Sequence, residues 1–385
     1  MSKLIEIKDL ELKFYTYAGV VNALEGVELY LKDGETLGIV GETGCGKTTT
    51  GLSIFKIVIP PGKIEQGKVL FKTRTGKTVD LLKLSDRALT WVRGRDISMV
   101  FQEPSSSLNP VFTVGNQISE VFFHHRKKEM IQNVLNKLEE DIQEAGESFL
   151  RGSIYKIEKK IYNKMLEKPK SYSLRIISRI PLINRYKGRL NKEVRKAVVD
   201  LLGDLEFPDP QRVFDMYPHE LSGGMQQRVV IAMGLACNPL LLMLDEPTTS
   251  LDVTIQAQVL DLVKKLKMKY KSSVLFITHN LGVIAEMADR VAVMYAGNVA
   301  EVADVREIFK HPLHPYTKGL MESIPRPGED YRSISGTVPD LIKPPSGCRF
   351  HPRCPNAMPI CTVVDPKMVE IKKDHLVSCH LFGES

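Results

Sequence analysis

The sequence Gly41-Glu-Thr-Gly-Cys-Gly-Lys-Thr48 decides the fold class of this 385-residue chain. It fits the P-loop pattern G-x-x-x-x-G-K-[ST], and it stands between an apolar strand-like run at 35–40 and a helical segment that begins at Thr48. Its glycines allow successive backbone N–H groups to point at phosphate, while Lys47 supplies positive charge and the Thr48 hydroxyl can ligate Mg²⁺. The predicted nucleotide contacts are Gly41, Glu42, Thr43, Gly44, Cys45, Gly46, Lys47, Thr48 and Thr49.

Two adjacent carboxylates follow a second apolar run, Leu241-Leu-Met-Leu-Asp245-Glu246. A buried strand that ends in an aspartate is typical of P-loop enzymes, in which this aspartate holds Mg²⁺ through water. Glu246 comes one residue later and is predicted to accept the proton of the attacking water as a general base. The alternative is that Glu246 only caps the next helix.

The composition is that of a soluble globular protein, with 43% hydrophobic and 26% charged residues. The sequence has no run of about 18 or more apolar residues, so it predicts no membrane-spanning helix. The N-terminal sequence Met1-Ser-Lys-Leu-Ile-Glu-Ile has no apolar signal core. We therefore expect a cytosolic chain whose attachment to a membrane would depend on a partner.

Strand-like and helical segments alternate along most of the chain, which predicts an α/β fold with a mostly parallel core sheet. Segments 4–7 and 27–31 predict an antiparallel β subdomain near the N-terminus. Residues from about 113 to 215 have a helical pattern. One predicted helix face carries Ile131, Val134, Leu135, Leu138 and Ile142, a second carries Ile154, Ile157, Ile161 and Met165, and Pro169 and Pro181 are expected to break the region.

Domain boundaries follow from these patterns. Residues 1–325 are expected to form the ATPase domain, with a helical subdomain at about 103–215. Prolines and glycines are frequent from Pro325 to Pro345, which indicates a linker. Residues 326–385 are therefore expected to hold this linker and a small cysteine-rich C-terminal lobe.

A second anion-binding turn occurs 180 residues after the P-loop, in Leu-Ser-Gly-Gly-Met-Gln-Gln-Arg at 221–228. A Ser-Gly-Gly turn that opens a helix presents unpaired backbone N–H groups and a positive helix end. Together with the P-loop, this turn resembles the signature of ABC-type ATPases, in which the signature turn of one subunit closes on the ATP held by another. The resemblance covers nearly the whole chain and implies ATP and Mg²⁺ as ligands.

The resemblance implies roles for further residues. Gln102 matches the Q-loop glutamine that touches Mg²⁺, His279 the switch histidine that steadies the γ-phosphate, and Asp252 the D-loop residue at the dimer seam. Tyr17 matches the aromatic residue that stacks on adenine, with Tyr15 or Phe14 as alternatives. The signature residues Ser222, Gly223 and Gly224 are implied to contact the partner's ATP. Hydrolysis is then expected to need two subunits.

Longer stretches resemble one branch of the family, the ATPase subunits of oligopeptide/dipeptide importers. They are residues 216–228, 245–256, 311–317 and the Phe-His-Pro-Arg-Cys-Pro sequence at 350–355. The sequence Ala-Cys-Asn-Pro at 236–239 resembles the D-type subunit of these importers. The resemblance implies a second ATPase subunit, two membrane-spanning permease subunits, an external solute-binding protein and a place at the cytoplasmic face of the membrane. The transported solute is left open, because related importers also move oligosaccharides or nickel.

One segment departs from the family pattern. About 65 residues, at about 127–191, are inserted into the helical subdomain. Between Arg126 and Lys196 there are 19 Lys and Arg against 9 Asp and Glu, whereas the whole chain has a net charge of +7. This basic insertion could be a solvated helical excursion, a contact for lipid head groups or permease loops, or a nucleic-acid surface.

Four of the six cysteines lie in the C-terminal tail, at Cys348, Cys354, Cys361 and Cys379. Their separations of five, six and seventeen residues do not match common zinc ribbons or bacterial ferredoxins. Four thiolates suit a [4Fe–4S] cluster or Zn²⁺, and the resemblance favours the cluster, since some importer ATPases of this branch carry one. Free thiols or disulfides are the other readings, and His351, His375 and His380 are alternative ligands.

Two further functions compete with the importer. A soluble ABC ATPase could act on DNA or ribosomes, although DNA-repair members have a much longer coiled coil and translation members carry two ATPase units in one chain. Alternatively, the cysteine tail could act as a redox sensor or electron carrier that regulates the ATPase. The importer ATPase remains the reading that most of the motifs favour.

Overall fold

The computed structural model describes residues 2–144, 149–167, 185–249, 251–325 and 334–383. The chain divides into two compact units. The first unit contains Met1–Glu103 and Asn238–Ser385, and the second contains Pro104–Cys237. The two prolines that were expected to break the helical region, Pro169 and Pro181, lie outside the described residues.

All of the strands named below belong to the first unit. They are β1 (Lys3–Thr16), β2 (Gly19–Lys32), β3 (Thr36–Val40), β4 (Gly62–Lys72), β5 (Thr78–Asp80), β6 (Ile97–Val100), β7 (Leu241–Asp245), β8 (Ser273–Ile277), β9 (Arg290–Tyr295), β10 (Asn298–Asp304), β11 (Met368–Lys372) and β12 (His375–Ser378).

The core sheet has the strand order β11-β12-β10-β9-β3-β8-β7-β6. Neighbours from β9 to β6 are parallel, and β10, β12 and β11 are added antiparallel at one side. Every residue of β3, β7 and β8 is buried, which explains why these strands have continuous apolar sequences instead of alternating ones. The mostly parallel core was therefore predicted correctly. The tail strand β12 pairs with β10, so the C-terminal segment extends this sheet.

A second sheet is antiparallel and has the order β2-β1-β4-β5. It confirms the predicted N-terminal β subdomain. However, β1 and β2 are each 14 residues long, and β4 and β5 were not predicted. The sequence of β4 contains Gly62, Gly67 and several exposed polar residues, so it lacks the regular alternation that marks a strand.

The helices begin in the first unit with α1 (Lys47–Ile54) and α2 (Asp86–Val92). The second unit contains α3 (Pro104–Ser107), α4 (Val114–His125), α5 (Lys127–Glu144), α6 (Phe149–Glu167), α7 (Arg185–Asp204), α8 (Pro210–Asp215) and α9 (Gly223–Leu235). The first unit continues with α10 (Val253–Tyr270), α11 (Leu281–Met287), α12 (Val305–Lys310) and α13 (Pro315–Glu322). The described part of 113–215 is thus helical, as predicted.

The two predicted helix faces in this region have different outcomes. On α5, Ile131, Val134, Leu135 and Leu138 are buried, which confirms that face. On α6 the prediction was wrong, because Ile154 and Ile157 are 42% and 54% exposed. Ile161 of the predicted face is buried, but it shares the buried side of α6 with Glu158 and Tyr162. Arg189 of α7 contacts Glu158 at 2.8 Å, and this ion pair selects a face that apolar periodicity cannot identify.

Within the described ranges, none of the helices combines the length and the apolar character that crossing a membrane would require.

Candidate functional site

The P-loop lies between β3 and α1, at the carboxyl end of a central strand. Gly41, Gly44 and Gly46 have positive φ angles of 152°, 81° and 100°. A Cβ atom on Gly41 would collide with the carbonyl oxygen of Met294 and would lie 2.7 Å from Cys45 Sγ. Gly44 has open space around it, so there only its left-handed backbone requires glycine. The local sequence therefore dictates the tight turn of the loop.

Lys47 is directed back along the P-loop. Its Nζ donates to the carbonyl oxygens of Gly41, at 2.8 Å, and Glu42, at 3.1 Å. The side chain is buried, whereas Thr43, Gly44 and Thr48 are exposed. Thr49 is half-buried on the first turn of α1. The loop therefore has a fixed lysine and an open face on which a phosphate chain can lie.

Asp245 is the last residue of β7, and its carboxylate faces the P-loop. Its Oδ1 accepts a hydrogen bond of 3.1 Å from Thr48 Oγ1, so two of the predicted magnesium ligands are in contact. Burial raises the pKa of Asp245 and the charge of Glu246 adds to this, although the Thr48 hydrogen bond and Lys47 act in the opposite direction. A carboxylate that burial disfavours is suited to a cation, and oxygen donors are those that Mg²⁺ prefers.

Glu246 is held through both oxygens. Oε1 lies 3.0 Å from His279 Nδ1, and Oε2 accepts from Thr249 Oγ1 at 3.0 Å and from Gln102 Nε2 at 3.2 Å. Three of the predicted site residues, Gln102, Glu246 and His279, are therefore brought together. The backbone of Glu246 has a φ of 46°, and such left-handed non-glycine residues cluster at functional sites.

The pKa of Glu246 is lowered even though it is partly buried. Burial alone would raise this pKa. Hydrogen bonds from His279 and Thr249, together with the charges of His279 and Lys47, outweigh the effect of burial. Glu246 is therefore ionised at neutral pH, as a proton acceptor must be.

Two other predicted contacts of the first unit lie on turns. Asp252 is the N-cap of α10, where its Oδ1 accepts from the backbone N–H of Ile255 at 3.0 Å. Tyr17 lies in the turn between β1 and β2, and its side chain is fully exposed. Tyr15, its predicted substitute, is instead engaged with Glu65 through a hydrogen bond of 2.8 Å. The exposed ring of Tyr17 thus has both faces free to meet a base.

The signature turn belongs to the second unit, where Ser222 is the N-cap of α9. Ser222 Oγ accepts from the backbone N–H of Met225 at 3.4 Å. Gly223 and Gly224 are the first two residues of the helix, and both Ser222 and Gly223 are exposed. The turn presents an accessible hydroxyl and the positive end of a 13-residue helix, which is a suitable arrangement for an anion.

The four tail cysteines form no disulfide bonds. Cys361 and Cys379 are buried, and the backbone N–H of Cys348 donates to the carbonyl oxygen of Cys361 at 2.9 Å. Burial raises the pKa of Cys348 to about 11, and the charges of Cys361, Cys379 and Cys354 act in the same direction. The four sulfurs thus influence one another. Across the described ranges, however, no three His, Cys, Asp or Glu side chains are arranged to hold a metal ion.

The alternative histidine ligands each use a ring nitrogen elsewhere. His351 Nδ1 donates to the carbonyl oxygen of Cys348 at 2.9 Å, and His380 Nε2 to that of Val364 at 2.8 Å. His375 is buried, with its Nε2 at 2.8 Å from Glu301 Oε1. These contacts give each ring a local structural partner and leave the cysteines as the main donor set.

The sequence analysis missed three residues of the nucleotide site. Thr249 contacts Glu246, and the hydroxyl of Tyr316 accepts a hydrogen bond of 3.0 Å from the backbone N–H of Glu42. Arg353 forms an ion pair with the Glu42 carboxylate at 2.8 Å. All three residues stand in motifs that indicated the family branch, but no local pattern shows that Tyr316 and Arg353 reach a loop about 300 residues earlier.

Comparison with known proteins agrees with this geometry. The profile described as ABC transporter matches residues 24–249, which include the P-loop, the signature turn and both carboxylates. This chain belongs to the ABC transporter family. A second profile, the oligopeptide/dipeptide transporter C-terminal region, matches residues 300–361. The resemblance inferred from the motifs is confirmed, and the chain is an ABC-type ATPase.

Curated relatives of this ABC transporter ATPase align over nearly its full length. The dipeptide transport ATP-binding protein DppD of Bacillus subtilis (strain 168) is 40% identical over 385 residues, covering 99% of this chain and 95% of DppD. The oligopeptide transport ATP-binding protein OppD of the same organism is 41% identical over 387 residues, covering 99% of this chain and 89% of OppD.

Solved ABC cassettes share the fold. A dimeric structure of the bacterial ABC transporter cassette MJ0796 has a TM-score of 0.52 and 25% identity, covering 78% of this chain and 99% of that one. The structure of cbiO1 from Clostridium perfringens, part of the transporter complex cbiONQ, has a TM-score of 0.53 at 22% identity. The match covers 81% of this chain and 92% of cbiO1. The ABC cassette architecture of this chain therefore rests on structure as well as on sequence.

Proposed function

We propose that this chain is the ATP-binding subunit of an importer for dipeptides, oligopeptides or solutes of similar size. The observation that carries the proposal is the match of residues 300–361 to the C-terminal region of oligopeptide/dipeptide transporters, a segment outside the general ATPase match. Relatives that are about 40% identical over the full length are named as peptide transport proteins, which supports the same assignment.

In the proposed reaction, water attacks the γ-phosphorus of ATP, and the bond between this phosphorus and the oxygen of ADP breaks. Glu246 accepts the water's proton, since its lowered pKa keeps it ionised. Lys47 neutralises phosphate charge, and His279, which lies beside Glu246, is placed to contact the γ-phosphate. Thr48, Asp245 and Gln102 would hold Mg²⁺, which neutralises charge on the β- and γ-phosphates when bound.

Complete sites are proposed to form between two ATPase subunits. Ser222, Gly223 and Gly224 would contact the ATP bound to the partner's P-loop, and Asp252 would lie at the seam. Support comes from the exposed helix N-terminus at Ser222 and from the dimeric structure of a related cassette, MJ0796. We favour a heterodimer, in which this D-type subunit pairs with a second, different ATPase subunit.

The remaining proposed partners are two membrane-spanning permease subunits and an external solute-binding protein, with this chain at the cytoplasmic face. The test is affinity purification of the chain from detergent-solubilised native membranes, followed by mass spectrometry. Recovery of two multi-span proteins, a second ATPase and a solute-binding protein would support the importer. Recovery of ribosomal proteins or nucleic acid without any membrane protein would favour the soluble ATPase instead.

The tail cysteines are proposed to bind a [4Fe–4S] cluster, with Zn²⁺ as the alternative. The donor chemistry fits, because four cysteine thiols without disulfide bonds are available as ligands. Their present spacing does not bring three of them to ligating positions, so binding would have to draw the sulfurs together. Iron, sulfide and zinc analysis of the full chain and of Cys354→Ser tests this. Loss of metal with ATP binding intact is expected, and a metal-free wild type would refute the proposal.

A redox role for the tail would extend this proposal. If the cluster regulated the enzyme, its oxidation would change the rate of ATP hydrolysis. An unchanged rate of ATP hydrolysis after oxidation of the cluster would exclude this role.

The basic insertion is proposed to contact anionic lipid head groups. Ile154 and Ile157 are exposed on α6 beside the exposed Lys156 and Lys160, a combination that suits a membrane interface. Co-sedimentation of the full chain with vesicles that contain an anionic lipid tests this, with Ile154→Ser/Ile157→Ser as the variant. Equal binding by the variant and the wild type would contradict it.

A further inference from the structure

Arg353 joins the C-terminal segment to the P-loop. Its Nη1 donates to Glu42 Oε2 at 2.8 Å and its Nη2 to Glu42 Oε1 at 3.1 Å, which is a bidentate pair. Such parallel bonds between a guanidinium and a carboxylate fix the direction of both side chains. The arginine side chain is only 5% exposed, so this pair is shielded from solvent far more than an ordinary surface ion pair.

The other donors of Arg353 fix it within its own surroundings. Nε donates to the carbonyl oxygen of Ser335 at 2.9 Å, Nη2 to that of Ile334 at 3.4 Å, and Nη1 to the hydroxyl of Tyr295 at 3.3 Å. All three guanidinium nitrogens are therefore engaged. Lysine could not reproduce this set, since it offers one point charge instead of a planar fork.

Glu42 is fixed at three points. Its carboxylate meets Arg353, its backbone N–H donates to the Tyr316 hydroxyl at 3.0 Å, and its backbone carbonyl accepts from Lys47 Nζ at 3.1 Å. Tyr316 is itself fully buried. Contacts thus run without interruption from Arg353 through Glu42 to the lysine that serves the phosphates. A change at Arg353 reaches Lys47 through a single intervening residue.

We propose that Arg353 is a positioning residue for ATP binding, which holds residue 42 and thereby the backbone of the P-loop in the conformation that receives phosphate. This inference rests on the ATPase activity of the family and does not depend on which solute the importer moves. The loop has several glycines with left-handed backbones, so outside contacts restrict a segment that would otherwise adopt many conformations. Preorganisation of this kind strengthens binding by reducing the entropy lost when the ligand is bound.

The experiment measures ATP affinity and the KM and kcat of ATP hydrolysis for the full chain and four variants. These are Arg353→Lys, Arg353→Ala, Glu42→Gln and the double variant Arg353→Ala/Glu42→Gln. We expect the ATP dissociation constant and KM to rise by about ten-fold in each single variant, equivalent to about 1.4 kcal/mol. The effect on kcat should be smaller, because Glu246 and its partners are untouched. The double variant should be no weaker than the single ones, because both changes remove the same contact.

A matched control separates this role from simple attachment of the tail. Asp374 also attaches the C-terminal segment to strand β2, through Tyr30 at 2.7 Å and Lys32 at 2.9 Å, and it does not touch the P-loop. Asp374→Asn should leave ATP affinity at the wild-type value. If Asp374→Asn weakens ATP binding as much as Arg353→Ala does, attachment of the tail is the cause and the proposal is wrong.

Other results of this experiment would also overturn the proposal for Arg353. Unchanged ATP affinity in Arg353→Lys and Arg353→Ala, or additive losses in the double variant, would overturn the proposal. If Arg353→Ala does not fold, Arg353→Lys and Glu42→Gln still provide the test, because both keep side chains of similar size. A chain that binds no ATP in its wild-type form would instead refute the ATPase assignment, so the two failures are distinguishable.

Discussion

His279 Nδ1 contacts one oxygen of Glu246, at 3.0 Å, while Gln102 and Thr249 contact the other. The carboxylate is therefore oriented by the protein's own side chains from both sides. His279 and Thr249 also lower the pKa of Glu246, so the hydrogen bonds that orient the carboxylate also favour its ionised form. Substitutions of Glu246 and of His279 should therefore have different effects on ATP hydrolysis.

Replacing Glu246 with glutamine keeps the size of the side chain and removes the proton acceptor. We expect ATP hydrolysis to fall by about 10²–10⁴-fold while ATP binding is retained, since general base catalysis contributes about this much. Phosphate release and equilibrium nucleotide binding measure the two effects. The control is Glu286→Gln, at a surface carboxylate that contacts Lys264. Wild-type turnover in Glu246→Gln would show that another group is the base.

Replacing His279 with alanine removes a hydrogen bond and a charge that lower the pKa of Glu246. The base works when it is deprotonated, so a higher pKa moves the acid limb of the pH–rate profile to higher pH. We expect this shift in addition to any loss of rate at neutral pH. The measurement is kcat/KM for ATP as a function of pH. An acid limb in the same place as in the wild type would mean that His279 does not act through Glu246.

Replacing Gly41 with alanine should abolish ATP binding, because the new Cβ atom would collide with the Met294 carbonyl and cannot move away from it. The strained φ of 152° adds a cost of about 1–3 kcal/mol. The control is Gly76→Ala, in a turn with a φ of 79° and nothing within 4 Å of the added atom. That variant should lose only a little stability and bind ATP normally. Normal ATP binding by Gly41→Ala would contradict the tight packing of the loop.

Burial lowers the pKa of His314 from 6.5 to about 4. Its Nδ1 accepts a hydrogen bond from the backbone N–H of Tyr316, which protonation would break. Since the folded-state pKa lies below the unfolded one, the stabilisation is complete above about pH 6.5 and is lost as pH falls towards 4, by about 3 kcal/mol in total.

His314→Asn tests this dependence, because asparagine retains an N-cap acceptor and does not titrate. Between pH 7.5 and pH 5 the wild type should lose about 2 kcal/mol more of its unfolding free energy than the variant. Chemical denaturation at both pH values gives the measurement. Parallel losses in the two proteins would show that groups other than His314 control the acid sensitivity.

Much of the nucleotide site could be predicted because its signals are local. The glycine spacing of the P-loop, the apolar run before Asp245 and the turn at Ser222 each encode their own geometry within about ten residues. The core strands were recognisable for the same reason, since a strand that is buried on both faces needs a continuous apolar sequence.

The features that were missed depend on distant partners. The buried side of α6 is chosen by an ion pair between Glu158 and Arg189, so Ile154 and Ile157 were assigned to the wrong face. Strand β4 is defined by its pairing with β1, and its own sequence lacks regular alternation. Arg353 reaches Glu42 across 311 residues. Spacing along the chain carries no signal for contacts of this kind.

The pairing of Arg353 with Glu42 also has a consequence for biosynthesis. Arg353 is synthesised 311 residues after Glu42, so the P-loop leaves the ribosome well before this anchoring side chain is made. Synthesis at about 5–20 residues per second separates the two events by tens of seconds. A nascent or prematurely terminated chain would therefore hold an incompletely anchored nucleotide loop. If Arg353 positions the loop as proposed, the chain would acquire its full affinity for ATP only after residue 353 has been synthesised and has reached Glu42.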